Sequence, residues 1–255
     1  MEEILQLLIL AVLGALGGVL AGIVGVGGGI VFVPALVYVA GWDIKEAVAA
    51  SFVIIVFSSL SGTIRSARSE DPADWRAAVL FASTVAPASL IGVYVSSVSP
   101  SSVVQVAFAG VLLALAYPTA RGSGVPSESE GKKIPVPLVL LAGVFIGALS
   151  GLVGVGGGVV MVPLMVLGLG LTTKQASSTS LAVILFTGVV ASIGYTVAGF
   201  ADFLSLAPLV VGSVVGAWLG VRLREWLAER VLRTGFAIFM VLVALHILSE
   251  AAGIL

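Results

Sequence analysis

The 255-residue chain is 59% hydrophobic and 10% charged, with a mean hydropathy of +1.22 and a formal net charge of -1, against about 45–50% apolar and about 25% charged residues in soluble domains. That balance excludes a soluble globular domain and a nucleic-acid surface, and defines a multi-pass chain whose solvent is a lipid bilayer. With no cysteine and a single histidine, His246, it also excludes disulfides, thiolate or histidine metal clusters and a cysteine nucleophile, and no cofactor is expected.

The first stretch, "MEEILQLLILAVLGALGG", carries Glu2 and Glu3 where a signal peptide carries positive charge, so a retained membrane segment is expected. An apolar stretch over 4–22 precedes "GVGGG", a shorter one over 30–41 follows it, and long apolar segments occupy 46–66, 75–96 and 102–119. After the polar linker "RGSGVPSESEGKKIPVP" the order repeats: 136–151, a second "GVGGG", 159–170, then 175–198, 203–222 and 231–249. The long segments can cross a core of about 30 Å. At about 1.5 Å per residue the short ones cover about half of it. A re-entrant hairpin with its tip at Gly25–Gly29 is therefore expected in the first half, and its counterpart in the second.

The halves are copies of each other. "GIVGVGGGIVFVPALV" (Gly22 to Val37) and "GLVGVGGGVVMVPLMV" (Gly151 to Val166) share 11 of 16 residues, and the register holds without a gap from Gly22–Ser59 onto Gly151–Gly188. It carries Ser51, Ile55 and Phe57 onto Ser180, Ile184 and Phe186. The expected organisation is a first repeat over 1–120, a cytoplasmic linker over 121–135 and a second repeat over 136–255. Many secondary transporters are built from such repeats, with the substrate between them.

Charge placement orients the segments. If residues 4–41 and 136–170 return to the side they entered from, eleven of the twelve Lys/Arg residues share one face and only Lys45 lies on the other. If each crosses once, the twelve divide evenly. The positive-inside rule selects the first arrangement. Three crossings per half then invert one repeat relative to the other and leave both termini outside a cytoplasmic membrane. Two full crossings in place of each hairpin would give the same parity.

Three successive glycines destabilise a helix by about 1 kcal/mol each relative to alanine and allow positive φ. A helix starting just beyond them presents unpaired N–H groups and a positive dipole end, a setting for an anion that no side chain holds away. Gly27, Gly28 and Gly29, with Gly156, Gly157 and Gly158, are thus candidate substrate contacts. Gly14/Gly18/Gly22, Gly143/Gly147/Gly151 and Gly212/Gly216/Gly220 instead have the spacing of small-residue packing stripes. A dinucleotide fingerprint fails because Ile30 stands where its last glycine belongs, and no lysine follows to complete a phosphate-binding loop.

Ser51 and Ser58 align with Ser180 and Thr187 on matching helical faces. These four hydroxyls, with Ser150 and Thr179, are candidate donors to an oxyanion, although membrane serines also bond back to their own helix. All thirteen acids fall at or near segment ends, which leaves no buried carboxylate as a proton relay. Asp74 and Asp202, equivalent by repeat, stand at helix N-cap positions.

The doubled G-x-x-G-x-G-G-G-x-x-x-x-P pattern of Gly22–Pro34 and Gly151–Pro163, followed by "KEAVAASFVIIVF" and "KQASSTSLAVILF", resembles the sulfite exporter TauE/SafE family of membrane permeases. The resemblance implies transport of small anions such as sulfite, sulfoacetate or other organosulfonates. The expectation is an all-α polytopic membrane protein of two inverted repeats, each a glycine-tipped hairpin plus three transmembrane helices, that moves a small anion by alternating access. A channel built on the same paired half-helices is the alternative, and an enzyme lacks a recognisable catalytic set. A coupling ion, proton or sodium, and a homo-oligomer are both compatible with this arrangement.

Overall fold

The computed structural model describes residues 2–24, 28–67, 71–121, 135–200, 206–224 and 229–251. Among these every regular element is an α-helix: α1 (Glu2–Val24), α2 (Gly29–Tyr38), α3 (Ile44–Ser66), α4 (Trp75–Val98), α5 (Ser101–Arg121), α6 (Val136–Val153), α7 (Gly158–Leu169), α8 (Thr173–Val197), α9 (Ala207–Arg224) and α10 (Glu229–Ala251). Each apolar stretch of the sequence has become one helix, five in each half, with the shortest in each half (α2 and α7) directly after the glycines. Most of the linker, 122–134, lies outside the described residues, as does Asp202.

Capping sets several starts. Asp74 accepts hydrogen bonds from the amides of Arg76 (2.9 Å) and Ala77 (3.0 Å) ahead of α4, so this acid is an N-cap as expected. Thr172 accepts from the Gln175 amide (3.2 Å) ahead of α8.

The strongest packing runs between the halves. α1 lies on α9, α6 on α4, α3 on α8 and α5 on α10. Since α1 corresponds to α6 and α4 to α9, the first two pairs are one contact made twice with the halves exchanged. Backbone approach makes these contacts. A Cβ on Gly92 would fall on the Ala148 carbonyl, on Gly147 on that of Val85, and on Gly151 on that of Ser89. In the equivalent pair, a Cβ on Gly14 would fall on the Leu209 carbonyl, on Gly212 on that of Ala11, and on Gly216 on that of Ala15. From Gly147–Val85 to Gly151–Ser89, and from Ala11–Gly212 to Ala15–Gly216, the contact moves four residues forward on both helices, so α6 runs parallel to α4 and α1 to α9. The described members of the expected stripes therefore do pack helix on helix, as small residues do where lipid supplies no hydrophobic drive.

Side-chain bonds tie the ends. Thr179 accepts from the Asp74 amide (2.9 Å) and Ser178 donates to the Asp71 carbonyl (2.9 Å), so α8 starts beside the start of α4. At the opposite end Lys45 Nζ donates to the Ser97 carbonyl (3.3 Å) and lies 5.4 Å from the Phe200 ring centre, while Ser101 donates to the Asp43 carboxylate (2.8 Å). The end of α4, the starts of α3 and α5 and the segment after α8 meet there.

The surface is apolar. Leu16, Val79, Phe145, Val211 and Leu242 are each more than half exposed, which suits a lipid-facing exterior rather than water. Among the described residues, four helices are long and apolar enough to cross a membrane by themselves: Ile44–Ile64, Trp75–Val98, Ser101–Thr119 and Gln175–Val197. The protein is a polytopic, all-helical membrane protein.

Gly151→Ala and Gly216→Ala should each cost about 1–3 kcal/mol by overpacking. Gly110→Ala and Gly235→Ala, where a Cβ meets nothing within 4 Å, should be neutral or stabilising, by up to about 1 kcal/mol. Thermal unfolding in detergent compares the four, and equal effects in both pairs would contradict the close-packing account.

Candidate functional site: the paired glycine breaks

The second break is described in full. α6 ends in Gly154, whose φ of 75° is left-handed and whose amide donates to the Ser150 carbonyl (2.8 Å). Gly156 and Gly157 follow with φ of 77° and 71°, and α7 begins at Gly158. Three left-handed residues within four positions explain why no L side chain can substitute freely. The Gly157 carbonyl then accepts from the amides of Val160 (3.1 Å) and Met161 (3.0 Å) and starts the helical ladder.

The first break repeats this start at the same register. Gly28, with φ of 84°, precedes α2, and its carbonyl accepts from Val31 (2.9 Å) and Phe32 (3.0 Å). Gly25–Gly27, including the candidate Gly27, lie outside the described residues. Neither cap residue has a side chain, so no side-chain oxygen screens the first amides of α2 or α7.

The two breaks meet. A Cβ on Gly29, the first residue of α2, would fall on the Gly154 carbonyl at the end of α6. α3 closes this junction: Ser51 Oγ stands 2.7 Å from the Val48 carbonyl and 3.0 Å from the Gly154 carbonyl, sharing one proton between its own helix and the break. Ser150 is 2% exposed, and its Oγ has no hydrogen-bond partner. Its Cβ lies 3.8 Å from the point a Cβ on Gly157 would occupy, so this buried hydroxyl stands at the break.

Of the other candidates, Ser180 donates to the Ser177 carbonyl (2.9 Å), Ser58 to Ile55 (3.1 Å) and Thr187 to Val183 (2.9 Å). All three bond back to their own helices. Thr179 belongs elsewhere: it donates to the Gln175 carbonyl (2.7 Å) and accepts the Asp74 amide, which fixes the approach to α4. The structure thus brings together Gly28, Gly29, Gly156, Gly157, Gly158, Ser51 and Ser150. Among the described residues every buried polar side chain apart from tyrosine is a serine or threonine, and no buried acid or base stands near the breaks.

Tyr195 was not singled out in the sequence. It is fully buried on α8 and donates to the Gly151 carbonyl (2.8 Å) in the last turn of α6, with its ring 6.0 Å from that of Phe52. The repeat offers no guide to it, since Ser66 stands at the equivalent position. A tyrosine in the middle of an apolar segment was the only available signal, because a buried hydroxyl needs a partner.

A helical exterior made for lipid around a hydroxyl-lined interior with two backbone breaks defines the class, a polytopic membrane protein with its polar groups at a helix discontinuity. Residues 10–247 match the family described as Sulfite exporter TauE/SafE, and the chain belongs to that family. It is 26% identical to "Probable membrane transporter protein YunE" of Bacillus subtilis over 96% of this chain and 98% of that one. A "Probable membrane transporter protein" of Haemophilus influenzae is 28% identical, over 94% and 97%. One from Methanocaldococcus jannaschii is 25% identical, over 91% of each. No solved structure matches the chain. Family and relatives alike make it a membrane transporter and not an enzyme.

Ser51→Ala should destabilise the protein by about 1–3 kcal/mol, because it strips the Gly154 carbonyl of its side-chain donor in a buried site. Ser150→Ala should leave the thermal midpoint unchanged or raise it, since it removes a hydroxyl with nothing to bond. A large loss of stability in Ser150→Ala would show that this oxygen is paired in the resting protein.

Proposed function

We propose that the protein carries a small anion, a sulfite, sulfoacetate or other organosulfonate or oxyanion, across the cytoplasmic membrane by alternating access. The substrate sits between the starts of α2 and α7, where the first amides of each helix and the Ser150 hydroxyl donate to it. One observation carries this reading: two side-chain-free helix starts, Gly28–Gly29 and Gly157–Gly158, stand at the same register of a duplicated sequence, and the first of them, at Gly29, lies against the Gly154 carbonyl at the edge of the second break. N-terminal amides and the helix dipole favour negative charge there, and the low-dielectric surroundings leave it unscreened.

The path of the chain supports inverted repeats whose glycine-tipped helix pairs return to the side they entered from, as re-entrant hairpins would. α6 runs parallel to α4, so it leaves from the end where α4 starts; α7 is followed after three residues by α8, whose start is tied to the same end through Thr179 and Asp74. α1 runs parallel to α9, which follows the end of α8, and α2 leads to the start of α3 at that same end. Each glycine-tipped pair thereby returns to the side it came from, and the two pairs come from opposite sides. The repeats are residues 1–120 and 136–255, with 121–135 a cytoplasmic linker and both termini outside. Rocking one repeat against the other would open the junction to each side in turn.

Purified protein in liposomes should take up radiolabelled sulfite or sulfoacetate with saturation, with chloride and acetate weak competitors. Gly28→Leu and Gly157→Leu, once shown to fold, should lower uptake by about tenfold or more, the equivalent of about 1.4 kcal/mol. Uptake that survives both substitutions would reduce the breaks to packing elements, and flux that never saturates would make the path a channel.

A further inference from the structure

The two helix starts are separated by a pair of apolar side chains. Ile55 on α3 and Ile184 on α8 hold equivalent positions in the repeat and are 0% and 2% exposed. A Cβ on Gly29 would come within 3.0 Å of Ile55 Cδ1, and one on Gly156 within 3.5 Å of the same methyl and 3.4 Å of Ile184 Cγ2. A Cβ on Gly158 would come within 2.7 Å of Ile184 Cδ1. The room left by the glycines at both helix starts is therefore filled by these two branched side chains. On each helix the isoleucine stands between hydroxyl residues of the same face, Ser51 and Ser58 on α3, Ser180 and Thr187 on α8.

We propose that Ile55 and Ile184 are the paired specificity-determining residues of the transport path. They set the upper size of the anion and close the path to water between turnovers. This rests on the carrier reading above. An isoleucine has no atom that can hold an anion, so its place beside the first amides of both half-helices serves exclusion. A β-branched side chain is stiff at χ1 and cannot fold away cheaply, so an anion seated on the amides has to fit beneath the methyls. When no anion is present, the same methyls leave a constriction too apolar to stay wet, as in hydrophobic gates. The repeat doubles the device, one isoleucine for each helix start, as alternating access from two sides requires.

The test uses the full chain in proteoliposomes, with methanesulfonate and benzenesulfonate as a small and a bulky probe, and planar bilayers for passive conductance. In Ile55→Ala and Ile184→Ala the uptake ratio of benzenesulfonate to methanesulfonate should rise by roughly tenfold or more, and the double variant should add a passive conductance absent from the wild type. Ile55→Val and Ile184→Val, which remove one methyl each, should shift the ratio in the same direction by less and serve if the alanine variants do not fold. A wild type that carries methanesulfonate beside variants whose ratio is unchanged, whatever their thermal midpoints, would make the isoleucines packing residues and overturn the proposal. A wild type that carries neither probe, with a conductance opened by the alanine pair, would keep the gate and sink the carrier reading; no conductance either would sink both.

Discussion

A bilayer offers no hydrogen bonds to the backbone, so every amide and carbonyl within it must find a partner in the chain. Eight of the ten described helices meet that demand over eighteen or more residues each. The two glycine breaks are where it is suspended; the described residues of both are buried in protein, and the second is supported from outside its own segment. Ser51 of α3 donates to the Gly154 carbonyl, Tyr195 of α8 donates to the Gly151 carbonyl, and Gly29 brings the start of α2 against the end of α6. Glycine is needed twice over there, once for its left-handed φ at Gly28, Gly156 and Gly157, and once for the close approach at Gly29.

The same residue type does a different job in α1, α4, α6 and α9. There the glycines are ordinary helical residues whose missing Cβ lets one helix lie against the backbone of another. Because these contacts join α1 to α9 and α6 to α4, the first helix of each half is anchored on the other half. The junction of the breaks is thus held by contacts between the halves, through α1 on α9 and α6 on α4, together with α2 on α3 and α7 on α8 within them. In the proposed cycle these are also the surfaces along which the halves would move, and close backbone contact at small residues suits sliding.

Much of this was legible in the sequence because its signals were strong and repeated. Apolar length located all ten helices within a few residues, the duplication put Gly28 and Gly157 in register, and the four-residue spacing of glycines identified the packing stripes. Asp74 declared itself as a cap by its place before an apolar run. What the sequence could not reveal depends on which segment packs on which. Ser51 and Ser180 are equivalent in the repeat, yet only Ser51 reaches a carbonyl of the opposite break, while Ser180 bonds to its own helix. Thr179 has the chemistry of a ligand and the position of a strut. Ile55 and Ile184 were visible as aligned residues, but an apolar residue in an apolar segment carries no sign of what it faces.

The central claim is that two half-helix starts from the two repeats form one anion site. A structure of the protein saturated with selenate, an oxyanion whose selenium scatters anomalously, tests it most directly. The account predicts an anomalous peak between Gly28–Gly29 and Gly157–Gly158, within hydrogen-bonding reach of the first amides of α2 and α7 and of Ser150. Selenate bound only among the arginines and lysines at the helix ends, with none at the junction, would contradict it.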